Sequence, residues 1–365
     1  LNFDGVDSFF YLWINGRYVG FSKNSRNLAS FDISPYLRPK GEENVIAVEV
    51  YRNSDGSFLE AQDMFRLPGI FRSVYLTAKP KVHLRDLQVI PDVTSDLKEG
   101  SLRITSELRS QGTKAVRHDL RLSYKLYALP LYSDEVSGAP VATAEGRSAS
   151  TGTAEKTLTL QSPALWSAEA PHRYVLVAEL YDKAGKTLLD RASIYTGFRK
   201  VEIRETPADQ DEFGHAGRYF YVNYKPVKFK GTNRHETDPS RGHAITHEQM
   251  EREVFLMKRA NINHVRNSHY PPAPYWYYLC DKYGIYLEDE ANIESHQYYY
   301  GKASLSHVPE FEAQHVSRML EMVHANINHP SIVIWSLGNE AGPGVNFVKS
   351  YEATKRVDTS RPVQY

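Results

Sequence analysis

Side chains that can do acid–base chemistry or bind metal ions follow four predicted strands in the second half of the chain. They form the runs Asn233-Arg234-His235-Glu236, Arg266-Asn267-Ser268-His269-Tyr270, Glu288-Asp289-Glu290-Ala291-Asn292-Ile293-Glu294-Ser295-His296 and Gly338-Asn339-Glu340. A charged group against an apolar strand is costly to bury without a partner. Because the carboxyl ends of parallel barrel strands meet at one mouth, this repeated placement predicts an active site there.

The chemistry of this predicted mouth points to sugars. It is rich in carboxylates and histidines, and the chain has no G-x-S-x-G pattern for a nucleophilic serine. Aromatic residues occur at the same strand ends, namely Tyr270, Tyr275, Trp276, Tyr298, Tyr299, Tyr300 and Trp335. Aromatic rings stack on the apolar face of a sugar, and a pair of carboxyl groups can cleave a glycosidic bond. The pattern therefore favours a glycoside hydrolase.

Glu340 is the first candidate for the general acid. It follows the apolar run Ile332–Leu337, where partial desolvation would raise the pKa of its carboxyl group. The alternative is a structural carboxylate, favoured by the dipole of the helix predicted over Val345–Val357.

Glu294 and His296 are two residues apart, so in extended backbone their side chains point the same way. Together with Glu340 they could form an oxygen-rich site for a divalent ion, although Mg²⁺ tolerates histidine less readily than carboxylates. An ordinary ion pair or hydrogen bond explains the same spacing. His235 and His269 are either donors to sugar hydroxyls or ordinary hydrogen-bonded histidines.

Strands and helices alternate from residue 199 to residue 365, which predicts βαβ units and a parallel sheet. The predicted strands are Val227–Gly231, Asn263–Asn267, Ile285–Asp289, Ile332–Leu337 and Pro362–Tyr365, and the predicted helices are Ala273–Lys282, Phe311–Asn326, Val345–Val357 and one that begins at the capping box Thr246-His247-Glu248-Gln249. We expect an incomplete (β/α)8 TIM barrel of about five strands. A doubly wound sheet is the alternative, but no G-x-G-x-x-G follows any strand.

Two β-rich regions precede the barrel in this prediction. Residues 1–80 read as strands, with Asn15-Gly16 as a hairpin turn, and residues 81–198 contain about seven short strands that suggest a β-sandwich. The predicted domains are therefore 1–80, 81–198 and 199–365.

Composition excludes several classes of protein. The 365 residues contain 44 Lys and Arg against 44 Asp and Glu, so there is no basic excess for binding nucleic acid or an anionic membrane. The single cysteine, Cys280, rules out an intrachain disulfide and a multi-cysteine metal site. The chain begins at Leu1 and ends at Tyr365 within apparent strands, so we expect an internal fragment of a longer protein. Its compartment stays open, with cytoplasm favoured and periplasm compatible.

Motifs along the whole chain resemble the large bacterial β-galactosidases of glycoside hydrolase family two. In the family's order they are F-D-G-V-D-S (3–8), N-G-R-Y-V-G (15–20), S-D-G-S-F-L-E-A-Q-D-M-F (54–65), G-I-F-R (69–72), L-W-S-A-E (165–169), N-R-H-E (233–236), S-H-Y-P (268–271), D-E-A-N-I-E-S-H (289–296), N-H-P-S-I-V-I-W-S-L-G-N-E (328–340) and S-R-P-V-Q-Y (360–365). The resemblance is weakest over roughly 82–160.

The resemblance implies a partial jelly-roll sugar-binding domain, an immunoglobulin-like β-sandwich and the catalytic barrel. It also implies roles for individual residues: Glu340 as acid/base, Asn339 at the sugar 2-hydroxyl, Glu294, His296 and Glu340 on Mg²⁺, Asp63 on galactose and Na⁺, and His235 and His269 at sugar hydroxyls. The implied activity is retaining cleavage of terminal β-D-galactosyl residues, and relatives are commonly homo-oligomers.

Two departures from the family pattern affect these expectations. Ala61 stands where several relatives have Asp, and the family's nucleophilic Glu lies on a later barrel strand, past Tyr365. Glu288 and Glu290 remain as carboxylates within the chain but are poor nucleophiles by strand pairing and by the family pattern. We therefore expect the 365-residue chain alone to be inactive.

Two other functions remain as alternatives. A β-glucuronidase on the same scaffold would need a basic pocket for the uronic carboxylate. An inactive carbohydrate-binding or complementing fragment would instead expose unpaired strand edges that pair with a missing segment.

Overall fold

The computed structural model describes residues 1–111, 119–149, 151–211, 214–296 and 301–365. Tyr298, Tyr299 and Tyr300, which the sequence places among the aromatic residues of the mouth, lie outside the described residues. None of the helices in the described ranges is both long enough and apolar enough to cross a membrane.

Short antiparallel strands make up the first region. They are β1 (Asn2–Phe3), β2 (Val6–Asp7), β3 (Phe9–Ile14), β4 (Arg17–Ser22), β5 (Ala29–Ser30), β6 (Ile46–Tyr51), β7 (Gly69–Ile70) and β8 (Val74–Tyr75). They pair in the orders β5-β1-β8, β2-β7 and β4-β3-β6. The predicted hairpin joins β3 to β4, with Asn15 and Gly16 both at positive φ as a tight two-residue turn requires. Phe3, Phe10 and Leu12 form the core beneath it.

The second region is a sandwich of two antiparallel sheets. Its strands are β9 (Val82–Val93), β10 (Glu99–Ser110), β11 (Arg121–Ala128), β12 (Ala142–Arg147), β13 (Thr153–Gln161), β14 (Tyr174–Tyr181) and β15 (Leu188–Thr196). The sheets have the orders β13-β10-β9 and β12-β11-β14-β15, and their inner faces share one core that includes Leu102, Ile104, Leu122 and Leu176. Alternate residues of β10 and β11 are buried, as one-sided packing of a sheet requires.

A small antiparallel sheet and then a parallel sheet complete the described chain. The antiparallel strands are β16 (Val201–Thr206), β17 (Gly217–Val222) and β18 (Lys225–Pro226). The parallel unit runs β19 (Gly231–Arg234), α1 (His247–Arg259), β20 (His264–Asn267), α2 (Pro274–Tyr283), β21 (Tyr286–Glu290), α3 (Glu312–Asn326), β22 (Ile332–Ser336), α4 (Val345–Val357) and β23 (Val363–Gln364).

The order of the parallel strands decides between the two folds that the sequence left open. The sheet runs β19-β20-β21-β22-β23, with each strand beside the next one in sequence and all parallel. A doubly wound sheet reverses its order at a switch point, whereas a barrel does not. The predicted fold class, two β-rich regions followed by about five strands of a barrel, is confirmed. The domain boundaries and the jelly-roll and immunoglobulin-like connections stay predictions.

The predicted first barrel strand was wrong in position. The apolar run Val227–Gly231 continues the hairpin after β18, where Val227 donates its backbone N–H to Phe220, and Phe229 packs against Tyr286. The barrel strand itself is β19, four residues further on. Its sequence G-T-N-R has no apolar periodicity, so hydrophobicity alone pointed to the wrong segment.

Candidate active site

The parallel strands bring the predicted catalytic and binding residues together at their carboxyl ends. Arg266 at the end of β20 donates from its Nε to Oε2 of Glu290 on β21 at 2.8 Å. Its NH2 group donates to Oδ1 of Asn339, which follows β22, at 3.0 Å. The backbones of Glu294 and Asn339 form an isolated parallel bridge. The loops after β21 and β22 are thus held side by side.

Glu290 is a fully buried carboxylate with several donors. Besides Arg266, Ser336 donates from its Oγ to Oε2 at 2.6 Å, and Nδ1 of His269 lies 2.6 Å from Oε1. Gln364 of β23 donates a hydrogen bond to Glu288, which lies two residues before Glu290 on β21. Burial raises the pKa of Glu288, and the charge of Arg266 lowers it by a smaller amount. Both carboxylates are therefore engaged, which supports the expectation that neither is the nucleophile.

Asp63, Glu294 and His296 form the candidate metal cluster. One ligand atom from each lies within 4.8 Å of the others. Nδ1 of His296 is 2.9 Å from Oε1 of Glu294, and its Nε2 is 3.3 Å from Oδ1 of Asp63. The second oxygen of Glu294, Oε2, is buried and accepts no hydrogen bond from the described residues. Burial raises the pKa of Glu294, and a nearby cation would favour its charged form.

Glu340 lies beside this cluster, with its Oε2 3.5 Å from Nδ1 of His296. Its side chain is 61% exposed, so the structure does not supply the desolvation that the sequence predicted for it. The helix-dipole alternative is also weak, because α4 has its N-cap at Gly344 and Glu340 lies outside the first turn. The φ angle of Glu340 is +31°, a strained value for a residue with a Cβ, as is often found at functional sites.

Asp63 reaches the mouth because a loop of the first region pairs with the loop after β21. Glu294 donates its backbone N–H to the carbonyl of Leu59 at 2.7 Å, and Ala61 donates to the carbonyl of Glu294 at 2.8 Å. Gln62 donates from its Nε2 to Oδ1 of Asn292 at 2.8 Å. Ala61 is fully buried in this contact, so the departure from the family pattern falls in a tightly packed place.

Two buried ion pairs fix the first region against the barrel, and sequence reasoning missed both. Arg318 of α3 donates to Glu60 at 2.7 Å, and Arg72 donates to Glu236 at 2.6 Å. Burial alone would raise the pKa of Glu236, but the charges of Arg72 and Arg234 outweigh it and hold that pKa below its usual value. The sequence signal was weak: Arg72 and Glu60 each follow two apolar residues, Ile70-Phe71 and Phe58-Leu59.

His235 and His269 lie next to each other in the mouth, with ring centroids 5.4 Å apart. Burial, together with the charge of His269, lowers the pKa of His235 to about 4, so His235 is a neutral imidazole with one N–H at neutral pH. His269 is oriented by its short contact with Glu290. Both rings can therefore serve as oriented hydrogen-bonding groups.

Three of the described aromatic residues at the strand ends are buried and form no sugar platform, while Tyr275 is partly exposed and stacks on His247. Tyr270, Trp276 and Trp335 are at most 1% exposed and belong to the packing between strands and helices. The indole of Trp335 donates to Asp358, and the ring of Trp276 lies 3.8 Å from the guanidinium carbon of Arg234. These three aromatic residues are thus core residues.

Asp289 also departs from its expected place at the mouth. It alternates with Glu288 and Glu290 along β21, so its side chain points to the helices. It is fully buried and accepts hydrogen bonds from Asn267 at 2.8 Å, Tyr277 at 2.7 Å and Asn326 at 2.9 Å.

Burial raises the pKa of Asp289 to about 6. Because the folded state then holds its proton more tightly than the unfolded state does, its contribution to stability is fully present below about pH 4 and is lost as pH rises to about 6. We expect Asp289→Asn to remove this loss, which amounts to about 3 kcal/mol by linkage. Urea unfolding of both proteins at pH 4.5 and pH 7 measures about 2 kcal/mol of it, since the rest is already lost at pH 4.5. Parallel pH profiles for the two proteins would contradict the prediction.

Comparison with known proteins gives matches along almost the whole chain. Residues 1–80 match "Glycosyl hydrolases family 2, sugar binding domain", residues 82–199 match "Glycosyl hydrolases family 2", and residues 216–365 match "Glycosyl hydrolases family 2, TIM barrel domain".

Among curated relatives, a "Beta-galactosidase" of Photobacterium profundum is 41% identical over 363 residues, and one of Pectobacterium atrosepticum is 42% identical over 366 residues. Each match covers 100% of this chain and 33% of the relative, so the chain spans about a third of the length of these proteins.

Among solved structures, a Bacteroides uniformis beta-glucuronidase superposes with a TM-score of 0.79 at 24% identity, covering 100% of this chain and 44% of that chain. A Bacteroides vulgatus beta-glycosidase has a TM-score of 0.77 at 25% identity, over 100% of this chain and 43% of that chain. At such identities the likeness to the beta-glucuronidase shows the fold alone.

Proposed function

Since the chain belongs to family 2 of the glycosyl hydrolases, we propose that it forms the sugar-binding and acid/base part of a retaining β-galactosidase. The observation that carries the proposal is the position of the Glu340 carboxylate beside Asp63, Glu294 and His296 in one mouth. The relatives that match the chain at about 41% identity are named beta-galactosidases.

A β-glucuronidase is the second candidate, and the charges of the mouth disfavour it. A uronic acid needs a free cation to bind its carboxylate. Of the arginines in the described strand-end runs, Arg266 already lies 3.5 Å from Glu288 and 2.7 Å from Glu290. Arg234 is paired with Glu253 at 2.7 Å. The described residues around Glu340 include the carboxylates of Glu294 and Asp63.

In the proposed mechanism Glu340 protonates the glycosidic oxygen and later deprotonates a water molecule. A second carboxylate would form the covalent glycosyl intermediate. Glu288, Glu290 and Glu294 are all engaged by other side chains, so we propose that the nucleophile comes from outside these 365 residues.

Asn339 is arranged to donate to the sugar. Arginine can only donate hydrogen bonds, so the contact at 3.0 Å from Arg266 fixes Oδ1 of Asn339 as its acceptor. The amide NH2 is then a donor: it hydrogen-bonds to the Glu294 carboxylate, and in this proposal its other N–H serves the 2-hydroxyl. His235 and His269 would bind other hydroxyls, and Asp63 would reach the galactose from the first region.

A chimera tests this function, with residues 1–365 replacing the matching third of the Photobacterium profundum relative. We expect it to hydrolyse p-nitrophenyl β-D-galactoside at least about 100-fold faster than the β-D-glucuronide, in kcat/KM, and to release the β-anomer first by NMR. The 365-residue chain alone should give no turnover. Equal rates on the two substrates would refute the galactosidase assignment, and turnover by the chain alone would refute the external nucleophile.

We propose that Glu294, His296 and Glu340 hold Mg²⁺ and that Asp63 holds Na⁺. The donor set of carboxylates with one histidine fits a hard cation, and a buried carboxylate oxygen without a donor among the described residues is a ligand position. Bound Mg²⁺ would supply positive charge that orients the Glu340 carboxylate.

Removal of one ligand checks the metal assignment. We expect Glu294→Gln to weaken Mg²⁺ binding to the 365-residue chain at least about tenfold in calorimetric titrations, because it removes a charged ligand. In the same titrations, Asp63→Asn should weaken the binding of Na⁺ and leave the affinity for Mg²⁺ within about threefold of its original value. An equal loss of Mg²⁺ affinity in both variants would instead indicate one ion shared by the whole cluster.

A further inference from the structure

Six aromatic side chains cover the solvent side of the sheet β4-β3-β6, and we call this surface the aromatic face. Its members are Phe9, Tyr11, Trp13, Tyr18, Phe21 and Tyr51. The alternate residues of β3, Phe10, Leu12 and Ile14, point into the core of the first region and are at most 1% exposed. The face is therefore separate from the core, although it lies on the same strands.

The strand register places the rings in cross-strand pairs. Phe9 lies opposite Tyr51, with ring centroids 5.7 Å apart, and Tyr11 lies opposite Phe21 at 6.4 Å. Trp13 pairs with Tyr18 at 5.9 Å. The rings thus form one continuous surface, and β3 carries it over about 14 Å at about 3.4 Å per residue.

This surface stays open to solvent. Tyr18, Phe21 and Tyr51 are exposed by 49%, 51% and 43%, and the three aromatic residues of β3 are partly exposed. Contiguous exposed apolar surface of this kind usually marks a binding site, because it is costly to leave in water.

We propose that the aromatic face binds a neutral oligosaccharide chain. Four of its rings carry a polar group, the hydroxyls of the three tyrosines and the indole N–H of Trp13, so they can stack on a sugar and also hydrogen-bond to its hydroxyls. Apart from the rings, the register puts Ala47 and Glu49 on this face, and the Tyr51 hydroxyl donates to Glu49 at 2.8 Å. A second charge, the ammonium of Lys23, lies 6.0 Å from the ring centroid of Phe21 and is paired with Asp55 at 2.7 Å. A face without large aliphatic side chains, whose two charges are both engaged, suits an uncharged sugar better than a protein core or an ionic ligand.

The ends of the face lie close in sequence to residues that pack beside the loop of the mouth. Asp7 and Ser8 immediately precede Phe9, and Arg52 and Asn53 immediately follow Tyr51. Together with Gln62 and Asn292 they line a cavity of about 30 Å³, which has room for water but not for a sugar ring. The aromatic face is therefore a site of its own, and binding there does not depend on the proposed function.

Calorimetric titration of the 365-residue chain with β-1,4-galactotetraose tests the proposal. We expect binding that weakens about tenfold in Tyr11→Ala and in Tyr51→Ala, since each loses a stacking ring. Tyr351→Ala is the matched control, because Tyr351 is 44% exposed on α4 and is not one of the residues of the face. The affinity of this variant should equal that of the unchanged chain. Tyr11→Phe should restore most of the affinity lost in Tyr11→Ala. Thermal unfolding confirms that each variant is folded.

Asp63→Ala separates this site from the mouth. Tetraose binding should survive Asp63→Ala, while any lactose binding at the mouth should not, so the two proposals can fail independently. Absence of binding at millimolar tetraose, or equal affinity in Tyr11→Ala, Tyr51→Ala and the unchanged chain, would overturn the inference. Sedimentation that shows a dimer lost in Tyr11→Ala would overturn it too, because the face would then be a contact between copies of the chain.

Discussion

Replacing Glu340 by glutamine is expected to lower kcat for lactose about 10²–10⁴-fold in the chimera with the Photobacterium profundum relative. Glutamine keeps the size of the side chain but has no proton to give to the departing sugar oxygen. The carboxylate of Glu340 faces the mouth, 3.5 Å from the ring of His296, and the described carboxylates near it are bonded to other groups. None of those described carboxylates is placed to take over the proton transfer.

The leaving group provides an internal check on this role. The dinitrophenolate of a dinitrophenyl galactoside leaves without needing a proton, so in Glu340→Gln the cleavage of this glycosidic bond should be nearly unaffected. Azide should rescue the second step, because it attacks the glycosyl intermediate without a general base in place of the activated water. Glu352→Gln is a matched control, because Glu352 lies on α4 with its side chain 49% exposed. An equal loss of first-step rate for lactose and the dinitrophenyl substrate would contradict the acid role.

Replacing Glu236 by alanine is expected to destabilise the 365-residue chain by about 3–5 kcal/mol. The side chains of Glu236 and Arg72 are 1% and 6% exposed, and their charges are 2.6 Å apart. Glu236 also accepts the backbone N–H of Ala273 at 2.8 Å, just before α2. Without Glu236 the guanidinium of Arg72 is buried and has no carboxylate partner. The free-energy cost of that unpaired charge is larger than the net stabilisation that the intact ion pair provides.

Urea unfolding at neutral pH measures this effect. The exposed pair Lys23–Asp55, at 2.7 Å, gives the control, since Asp55→Ala should cost less than about 1 kcal/mol. The double variant Arg72→Met/Glu236→Leu should recover part of the loss, because it removes both charges of the pair. A cost for Glu236→Ala as small as that of Asp55→Ala would show that the pair does not fix the first region to the barrel.

The local pattern of the sequence predicted the elements of the barrel closely. Helix α4 has the predicted bounds Val345–Val357, and the side chain of Thr246 caps α1 by accepting the N–H of Gln249, as the capping box indicates. These features depend on residues a few positions apart, so short-range periodicity and capping encode them. Strand β19 lacks this periodicity, so the apolar run Val227–Gly231 before it was predicted as the strand instead.

The sequence by itself therefore determined most of the elements, their order and the mouth to which the polar strand ends lead. Only the tertiary structure decided which side chains meet there. Asp63 joins His296 and Glu294 because a loop of the first region pairs with the loop after β21, and buried pairs such as Arg72–Glu236 hold that region in place. Contacts between residues so far apart in the chain depend on how whole regions pack, and no local periodicity carries that information.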